Sequence, residues 1–309
     1  MAKIIKFESK QKVFDISGVK VGGQPGEYPT VLIGSIFYDG HKIVSDANKG
    51  EFDRVKAEGL IKMQEELSDK TGNPFILDVV GSTVEALQKY VEFISETTEA
   101  PFLVDAPSAT VRILTMKYAV EVGLNARAIY NSIDNTIKQE EIKAIKELGV
   151  KTAVLLAYNP RNLWPEGRLE ILKGYTNQIG LLEAAKKACV KNLLVDTVVL
   201  DIPSIGLAVR SIYLVKQELG LPAGCGPANA TTTWKKGKKE YAPYGFPVCN
   251  ASACTSAQIM GANFVLYGPI VQAEAVFPAC AMTDALIAYN SRRYGIGPKV
   301  KNHPLFKIS

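Results

Sequence analysis

Eight times along the chain, a short apolar run typical of a β-strand is followed by a segment with the apolar spacing of a helix. This alternation predicts parallel strands joined by helical crossovers, and eight such units in 309 residues match a closed (β/α)₈ barrel. The rival fold is a doubly wound open sheet, which usually has the glycine fingerprint G-x-G-x-x-G after its first strand. This chain has G-S-I-F-Y-D-G there. We therefore predict the α/β class and a TIM barrel.

The predicted elements cover most of the chain. Strands are expected at residues 31–38, 74–81, 101–105, 127–133, 152–158, 193–199, 222–228 and 264–268. Helices are expected at residues 52–68, 83–98, 109–122, 139–148, 169–188, 204–219, 251–260 and 274–289. Residues 12–23 alternate around a Ser-Gly turn and predict a β-hairpin. We expect one domain over residues 1–309, in which 1–28 form an N-terminal hairpin and loop and 290–309 form a C-terminal tail.

Charged residues interrupt one of the most apolar stretches of the chain. Residues 192–203 read N-L-L-V-D-T-V-V-L-D-I-P, with Asp196 and Asp201 inside the run. A carboxylate in an apolar interior costs several kcal/mol or more without partners, so Asp196 must meet a fixed donor or face a ligand. Three other strands also end near one short polar side chain, those of Asp78, Asp105 and Asn131. Because strand ends meet at the mouth of a barrel, these residues predict a single pocket.

Composition narrows the setting of this pocket. The five cysteines are irregularly spaced and the N-terminus lacks a signal-peptide pattern, which predicts a cytoplasmic protein. The longest apolar stretch, residues 275–288, is expected to be a buried helix rather than a membrane span, which needs roughly 18 apolar residues. A net charge of +5 does not separate nucleic acid from anionic partners. The basic, aromatic segment 234–244 is interpreted as a solvated loop, or otherwise as a docking surface beside the pocket.

Several common chemistries lack the residues they need. The chain has two histidines, His41 and His303, which does not favour a zinc site, and it has no G-x-S-x-G elbow. Cys249 and Cys254 have no compatible third ligand and are interpreted as small buried thiols. No lysine lies at a strand end to form a covalent intermediate. A ring of Asp and Asn remains, and we expect no directly bound metal.

Such a ring suits a flat heterocycle that alternates donors and acceptors along its edge. A carboxylate can accept from the amino group and ring N–H of a 2-amino-4-oxo pterin, and an amide can serve its carbonyl and ring nitrogens. The alternative is that each of these residues caps a helix, since Asp and Asn after a strand often do.

Four segments carry a family resemblance. The stretch G-G-Q-P-G-E-Y-P-T-V-L-I-G-S-I-F-Y-D-G-H-K-I-V, together with R-A-I-Y-N-S-I, L-L-V-D-T and N-F-V-L-Y-G-P-I, resembles the H subunit of the tetrahydromethanopterin S-methyltransferase complex and its soluble bacterial relatives. The resemblance covers almost the whole chain. It implies a branch of the corrinoid:tetrahydropterin methyltransferases, which are pterin-binding barrels.

The resemblance also implies roles for individual residues. The pterin-binding positions of that family fall on Asp105, Asn131 and Asp196, and the amide near N5 of the pterin falls on Asn229, as the catalytic residue. Asn250 could take this last role if the seventh strand lies later than predicted. The second strand ends Asp78-Val79-Val80 where the family has D-x-N, so Asp78 is placed only at the pocket rim. His41 and Asp201 are further candidates for the rim.

The segment Asp39-Gly40-His41 approaches the D-x-H-x-x-G motif that binds cobalt in corrinoid modules, but Val44 replaces the glycine. We interpret His41 as a rim residue, so the corrinoid is expected on a separate protein. The implied function is transfer of a methyl group from the methylcobalamin of that protein to N5 of tetrahydrofolate, by in-line displacement, in demethylation of quaternary amines such as glycine betaine. The alternatives are a tetrahydromethanopterin-specific H subunit of a membrane complex, or a noncatalytic assembly barrel. A homodimer is expected, with no nucleic acid partner and no membrane insertion.

Overall fold

Eight parallel strands close into a barrel in the computed structural model, which describes residues 6–175 and 178–308. All neighbouring barrel strands pair in parallel, and the eighth strand closes the barrel against the first. In chain order the barrel strands are Val31–Ile36, Phe75–Val80, Phe102–Asp105, Ala128–Ile133, Thr152–Leu156, Asn192–Asp196, Ala223–Cys225 and Phe264–Pro269. The predicted TIM barrel is therefore confirmed.

Helices separate the strands along the chain and cover the outside of the barrel. They are Arg54–Thr71, Val84–Thr97, Ala109–Glu121, Gln139–Glu147, Pro165–Lys173, Leu181–Lys187, Ser204–Leu219, Ala228–Thr231, Lys235–Glu240, Gly245–Ile259 and Ala273–Ser291, with 3₁₀ turns at Ile270–Gln272, Arg292–Tyr294 and Pro304–Phe306. Local chemistry accounts for their ends. The Thr83 hydroxyl accepts a hydrogen bond from the Ala86 N–H, and Gly72 ends the first helix at a φ of 83°.

One predicted helix is wrong in extent. Residues 169–188 do not form a single helix, because the chain turns through a short hairpin, Gly174–Tyr175 with Gln178–Ile179, between two shorter helices. Gly174 has a φ of 93°, and a Cβ there would lie 2.5 Å from the backbone nitrogen of Gly180. The close approach of these two glycines requires the break. Residues 176 and 177 lie outside the described residues.

The segment after the seventh strand is more helical than predicted. The expected loop 234–244 contains the helix Lys235–Glu240, and the next helix begins at Gly245 rather than at residue 251. The Trp234 ring lies against Gly237, where a Cβ would be 2.1 Å from a ring carbon. The sequence pattern also missed a small hairpin, Val44–Asp46 with Glu51–Phe52, after the first barrel strand.

The N-terminal hairpin, Val13–Ile16 with Val19–Gly22, closes the end of the barrel at which the strands begin. Its Ile16 and Val21 are buried in one cluster with the inward side chains of the first strands. Lys216 fixes the same end, since its fully buried ammonium donates to the carbonyl of Gly23 at 2.9 Å. Burial lowers the pKa of Lys216 to about 7. Residues 1–5 of the predicted N-terminal segment lie outside the described residues.

The last long helix is unusually apolar. The helical run 270–294 is long and apolar enough to cross a membrane by length and composition alone, and half of its apolar window is buried against the barrel. The buried side includes Val276, Phe277 and Cys280. The core helix of a soluble protein can meet the same criteria, and one side of this run packs against the barrel.

Candidate active site at the barrel mouth

Alternation along the strands stacks polar residues directly above the inner core. The inner core contains Ile33, Ile76, Leu103, Ile129 and Leu194. Because successive side chains of a strand point to opposite faces, the residue two positions later again faces the barrel axis, one layer nearer to the strand's carboxyl end. These residues are Ser35, Asp78, Asp105, Asn131 and Asp196. The barrel interior therefore changes from apolar to polar at its mouth.

A cavity of about 500 Å³ opens at this mouth. Its polar lining includes Ser35, Tyr38, Asp39, Asp78, Asp105 and Asn229. These side chains come from the ends of the first three strands, from the segment after the first strand and from the short helix Ala228–Thr231 after the seventh. Asn131 and Asp196 belong to the same polar layer, on the fourth and sixth strands, but they do not line the cavity.

Asp78 and Asp105 form a hydrogen-bonded carboxyl pair on adjacent strands. The Ser35 hydroxyl donates to Asp78 Oδ2 at 2.6 Å, and Asp105 bonds to Asp78. Burial raises the pKa of Asp78 to about 6, and burial together with the charge of Asp78 raises the pKa of Asp105 well above its usual value. Asp105 is therefore the more readily protonated member of the pair and donates the hydrogen bond to Asp78. The remaining oxygens of the pair can accept hydrogen bonds from a ligand.

Asp196 ends the sixth strand and is 7% exposed. Its Oδ1 accepts from the Val198 N–H at 2.8 Å. Burial raises the pKa of Asp196 to about 6, while the backbone hydrogen bond and the Arg168 charge oppose this rise. Arg168 is itself buried, with Nε donating to the carbonyl of Thr197 at 3.1 Å. Asp196 is thus a buried carboxylate that is ionised above about pH 6.

The three amides considered from the sequence lie in different surroundings. Asn131 lies at a bulge within the fourth strand, and its side chain has no hydrogen-bond partner among the described residues. Asn229 is exposed and lines the cavity. Asn250 is fully buried, with its Nδ2 donating to the Tyr267 carbonyl at 2.9 Å and its Oδ1 accepting from the Thr231 hydroxyl at 2.7 Å. Of Asn229 and Asn250, only Asn229 reaches the cavity.

The rim candidates His41 and Asp201 also lie in different surroundings. His41 lines a second cavity beside the mouth, and Tyr38 borders both cavities. His41 Nδ1 accepts from the Phe37 N–H at 3.1 Å, its ring stacks on Tyr38 with centroids 4.4 Å apart, and burial lowers its pKa. Asp201 is exposed, and its Oδ1 accepts from the Ser204 N–H at the start of a helix. Asp201 therefore occupies a helix-capping position.

The sequence patterns did not identify some of the residues at the mouth. Ser35 and Tyr38 line the cavity, and the polar Ser35 inside an apolar strand was a signal, since it has the inward parity of the other polar residues. Arg112 is 5% exposed and donates to the Ala106 carbonyl at 2.7 Å, behind Asp105. No local pattern marks such a buried arginine, because its partners include residues that are distant in sequence.

No group of three or more His, Cys, Asp or Glu suited to a metal ion occurs in the part of the chain that the structure describes. All five cysteines are free thiols; Cys254 is buried, as expected, whereas Cys249 is only half-buried. The mouth can therefore bind and orient a polar heterocycle through hydrogen bonds of its carboxyl and amide groups.

Sequence comparisons connect this architecture to known proteins. The profile of the family described as "Tetrahydromethanopterin S-methyltransferase MtrH subunit" matches residues 9–299. The chain is 43% identical over 314 residues to the H subunit of the tetrahydromethanopterin S-methyltransferase of Methanothermobacter thermautotrophicus, covering 99% of this chain and 100% of that protein. It is 39% identical over 307 residues to the H subunit of the putative methyltransferase mtx of Methanosarcina mazei, covering 98% and 99%.

Solved structures share the fold. Dihydropteroate synthase of Yersinia pestis matches with a TM-score of 0.60 and 13% identity, covering 89% of this chain and 98% of that one. The Xanthomonas albilineans enzyme matches with a TM-score of 0.56 and 17% identity, covering 90% and 99%. At these identities the likeness concerns the barrel alone.

Proposed function

The chain belongs to the family of the tetrahydromethanopterin S-methyltransferase MtrH subunit and is thus a methyltransferase subunit, and from this membership we propose that it binds a tetrahydropterin at the barrel mouth and moves a methyl group between N5 of the pterin and the cobalt of a corrinoid. The corrinoid is carried by a separate protein. The observation that carries the proposal is the layer of buried carboxyl and amide side chains above the inner core.

The polar layer has the functional groups that a pterin edge requires. Asp196, ionised above about pH 6, accepts from the amino group and ring N–H of the pterin in a charge-assisted pair. Asp105 supplies an acceptor oxygen, and Asn131, free of protein partners among the described residues, supplies a donor and an acceptor. None of these three side chains caps a helix. The helix that follows each of these strands begins at a later residue and has no side-chain cap hydrogen bond.

The chemistry is a displacement at a methyl carbon. When the methyl group moves to the pterin, N5 attacks it, the cobalt–carbon electron pair stays on cobalt as cobalt(I), and N5 releases its proton; the reverse transfer returns a proton to N5. The protein contributes orientation of the two partners and hydrogen bonding as the charge at N5 changes. Asn229, which lines the cavity, is the residue proposed to make that changing hydrogen bond.

The pterin is proposed to be tetrahydromethanopterin. The names of relatives from several methanogens contain this pterin, at 40–43% identity over nearly the whole chain. This favours the MtrH-type interpretation over tetrahydrofolate and glycine betaine demethylation, for which the relatives' names give no support. In this proposal the chain works with the other subunits of a methyltransferase complex, one of which carries the corrinoid.

A spectroscopic assay tests the proposal. Purified protein is incubated with methylcobalamin and with either tetrahydromethanopterin or tetrahydrofolate, and the loss of the methylcobalamin spectrum is followed together with formation of the methylated pterin. We expect turnover with tetrahydromethanopterin and weaker or no turnover with tetrahydrofolate. The Asp196→Asn variant is the matched control for the site.

The outcomes separate the candidate functions. Faster turnover with tetrahydrofolate than with tetrahydromethanopterin would identify tetrahydrofolate as the pterin. Binding of a pterin by calorimetry without any methyl transfer, even with a corrinoid protein present, would indicate a noncatalytic binding barrel. Absence of binding to either pterin would overturn the proposal.

A further inference from the structure

Two cavities meet at one tyrosine beside the barrel mouth. The cavity of about 500 Å³ at the mouth and the second cavity, of about 480 Å³, both have Tyr38 in their lining. The segment after the eighth strand also borders both, since Gly268 and Pro269 line the mouth and Val271 lines the second cavity. Each volume is that of a small-molecule site. A ligand bound at the mouth can therefore extend past Tyr38 into the second cavity.

The two cavities carry opposite charges. Asp39, Asp78 and Asp105 line the mouth, and none of the described residues lining it is a lysine or arginine. Lys42 and Lys56 line the second cavity, where none of the described lining residues is an aspartate or glutamate. Because complementary charge selects a ligand, a molecule that occupies both cavities has N–H donors at one end and acidic groups at the other.

The two lysines differ in how freely they can meet an acidic group. Lys56 Nζ lies 2.8 Å from a carboxylate oxygen of Asp53, which offsets its charge. Lys42 is exposed and has no ion-pair partner within residues 6–175 and 178–308. Lys42 is thus the more available cation of the second cavity.

His41 brings an unused hydrogen-bond donor to the second cavity. The residue is 5% exposed, and its Nδ1 accepts from the Phe37 N–H at 3.1 Å. Burial lowers the pKa of His41, so the ring is neutral at pH 7 and its proton is on Nε2. No acceptor for this proton occurs in the part of the chain that the structure describes. Since a buried donor without a partner costs free energy, a ligand oxygen is the fitting acceptor.

Apolar groups form the remaining wall of the second cavity. Ile43, Leu60 and Val271 line it together with the ring of Tyr38. Gly59 lies on the first helix at the same wall, and a Cβ built there would have no atom within 4 Å. The second cavity therefore has room for a ring against apolar side chains, close to its cationic groups.

We propose that the second cavity binds the tail of the tetrahydropterin, an inference that rests on the proposed pterin site at the mouth. The aryl group of the tail lies against the apolar wall, its acidic groups lie near Lys42, and His41 Nε2 donates to an oxygen of the tail. Tetrahydrofolate and tetrahydromethanopterin share the pyrimidinone edge and the aryl amine but differ in the acidic chain that follows. The second cavity is thus where the protein distinguishes these two pterins, whereas the mouth recognises the edge that they share.

Filling the second cavity with a side chain tests the proposal. Gly59→Phe places a ring there, at a helical position where a side chain also stabilises the helix relative to glycine. Calorimetry measures the binding of tetrahydromethanopterin, and a ligand-detected NMR titration measures the weaker binding of 6-methyltetrahydropterin, which has the ring without the tail. The wild type is expected to bind tetrahydromethanopterin at least about 10-fold more tightly than the tail-free pterin. Gly59→Phe should remove most of this difference without weakening the tail-free pterin.

Two controls accompany this variant. Gly59→Ala adds a side chain too small to fill the cavity and should bind both pterins as the wild type does. Gly206→Phe places the same ring on another helix, at an exposed glycine that lines neither cavity. It should also leave both affinities unchanged, and circular dichroism should show all variants to be folded.

Reversing one charge provides a second, independent test. Lys42→Glu is expected to raise the dissociation constant of tetrahydromethanopterin about 5- to 10-fold, with a smaller effect at high salt and none on the tail-free pterin. Lys117→Glu is the matched control, because Lys117 is equally a surface lysine but lines neither cavity.

The results separate this inference from the function on which it rests. Tetrahydromethanopterin binding that Gly59→Phe and Lys42→Glu both leave unchanged would overturn the tail site while keeping the pterin site at the mouth. Equal losses for both pterins would also overturn it, since the variants would then act on the mouth. Absence of wild-type binding to either pterin would refute the proposed function itself.

Discussion

Replacing Asp196 by asparagine is expected to stabilise the folded chain at high pH while weakening the binding of a pterin. The pKa of Asp196 is raised from 3.8 to about 6 by burial, so the folded state favours the protonated form. Relative to the asparagine variant, the wild type loses stability as the pH rises from about 4, and the loss is complete above about pH 7. A pKa raised from 3.8 to about 6 corresponds to about 3 kcal/mol at pH 8.

The substitution preserves the hydrogen bond between the side chain and the backbone. An asparagine Oδ1 can still accept from the Val198 N–H, so the bond at 2.8 Å need not be lost. What disappears is the cost of a buried charge. The same charge is proposed to bind the pterin, so the variant should be a more stable but weaker binder.

Urea denaturation at pH 5 and pH 8 measures the effect. Asp196→Asn is expected to gain about 3 kcal/mol over the wild type at pH 8 and about half of that at pH 5. Calorimetry at pH 8 should show a pterin dissociation constant about 10- to 100-fold higher, since roughly 1.5–3 kcal/mol is lost with a charged hydrogen-bond acceptor. Asp201→Asn is the control, because that exposed carboxylate bears no comparable burial cost.

Two results would refute this reasoning. If Asp196→Asn has the same pH dependence of stability as the wild type, burial does not raise the pKa of this carboxylate. If it binds the pterin as tightly as the wild type does, Asp196 is not part of the binding site.

The remaining predictions concern other residues at or near the mouth. Asn229→Ala is expected to lower the rate of methyl transfer by about 100-fold with little change in pterin affinity, because its hydrogen bond strengthens in the transition state; in single-turnover kinetics, equal losses in affinity and in kcat/KM with kcat unchanged would make it an ordinary binding residue. Asn250→Ala should instead lower the stability by about 1–3 kcal/mol in urea denaturation, since it leaves buried partners unpaired, and a slowed transfer step in a stable protein would contradict this. Asp105→Ala and Asn131→Ala should each weaken pterin binding by about 10- to 100-fold in calorimetry, and unchanged affinity would exclude them from the site. His41→Ala removes the acceptor of the Phe37 N–H and the support of the Tyr38 ring; it should raise the pterin dissociation constant about 10-fold with partial recovery in His41→Asn, whereas equal affinity would make His41 a purely structural residue.

The sequence was sufficient for the barrel and for the polar layer at its mouth. Eight alternating strand and helix patterns leave few other topologies, because parallel strands need helical crossovers. The polar residues could be found because each lies near the end of a strand, two positions after an inward apolar side chain, as in Leu103 with Asp105 and Leu194 with Asp196. A parallel barrel necessarily brings all such strand ends to one side. That Asp78 also belongs to this layer follows from the same parity.

Only the tertiary structure separated residues that look alike in the sequence. Asn229 and Asn250 both follow the seventh strand, but Asn229 lines the cavity whereas Asn250 bonds to Tyr267 and Thr231 in the interior. The break within residues 169–188 depended on the contact between Gly174 and Gly180, which no helical periodicity records. The raised pKa values of the carboxyl pair at the mouth depended on the burial of two side chains on different strands and on their proximity to each other. Local sequence determines which groups are present, but pKa values and contacts are set by neighbours that only folding brings together.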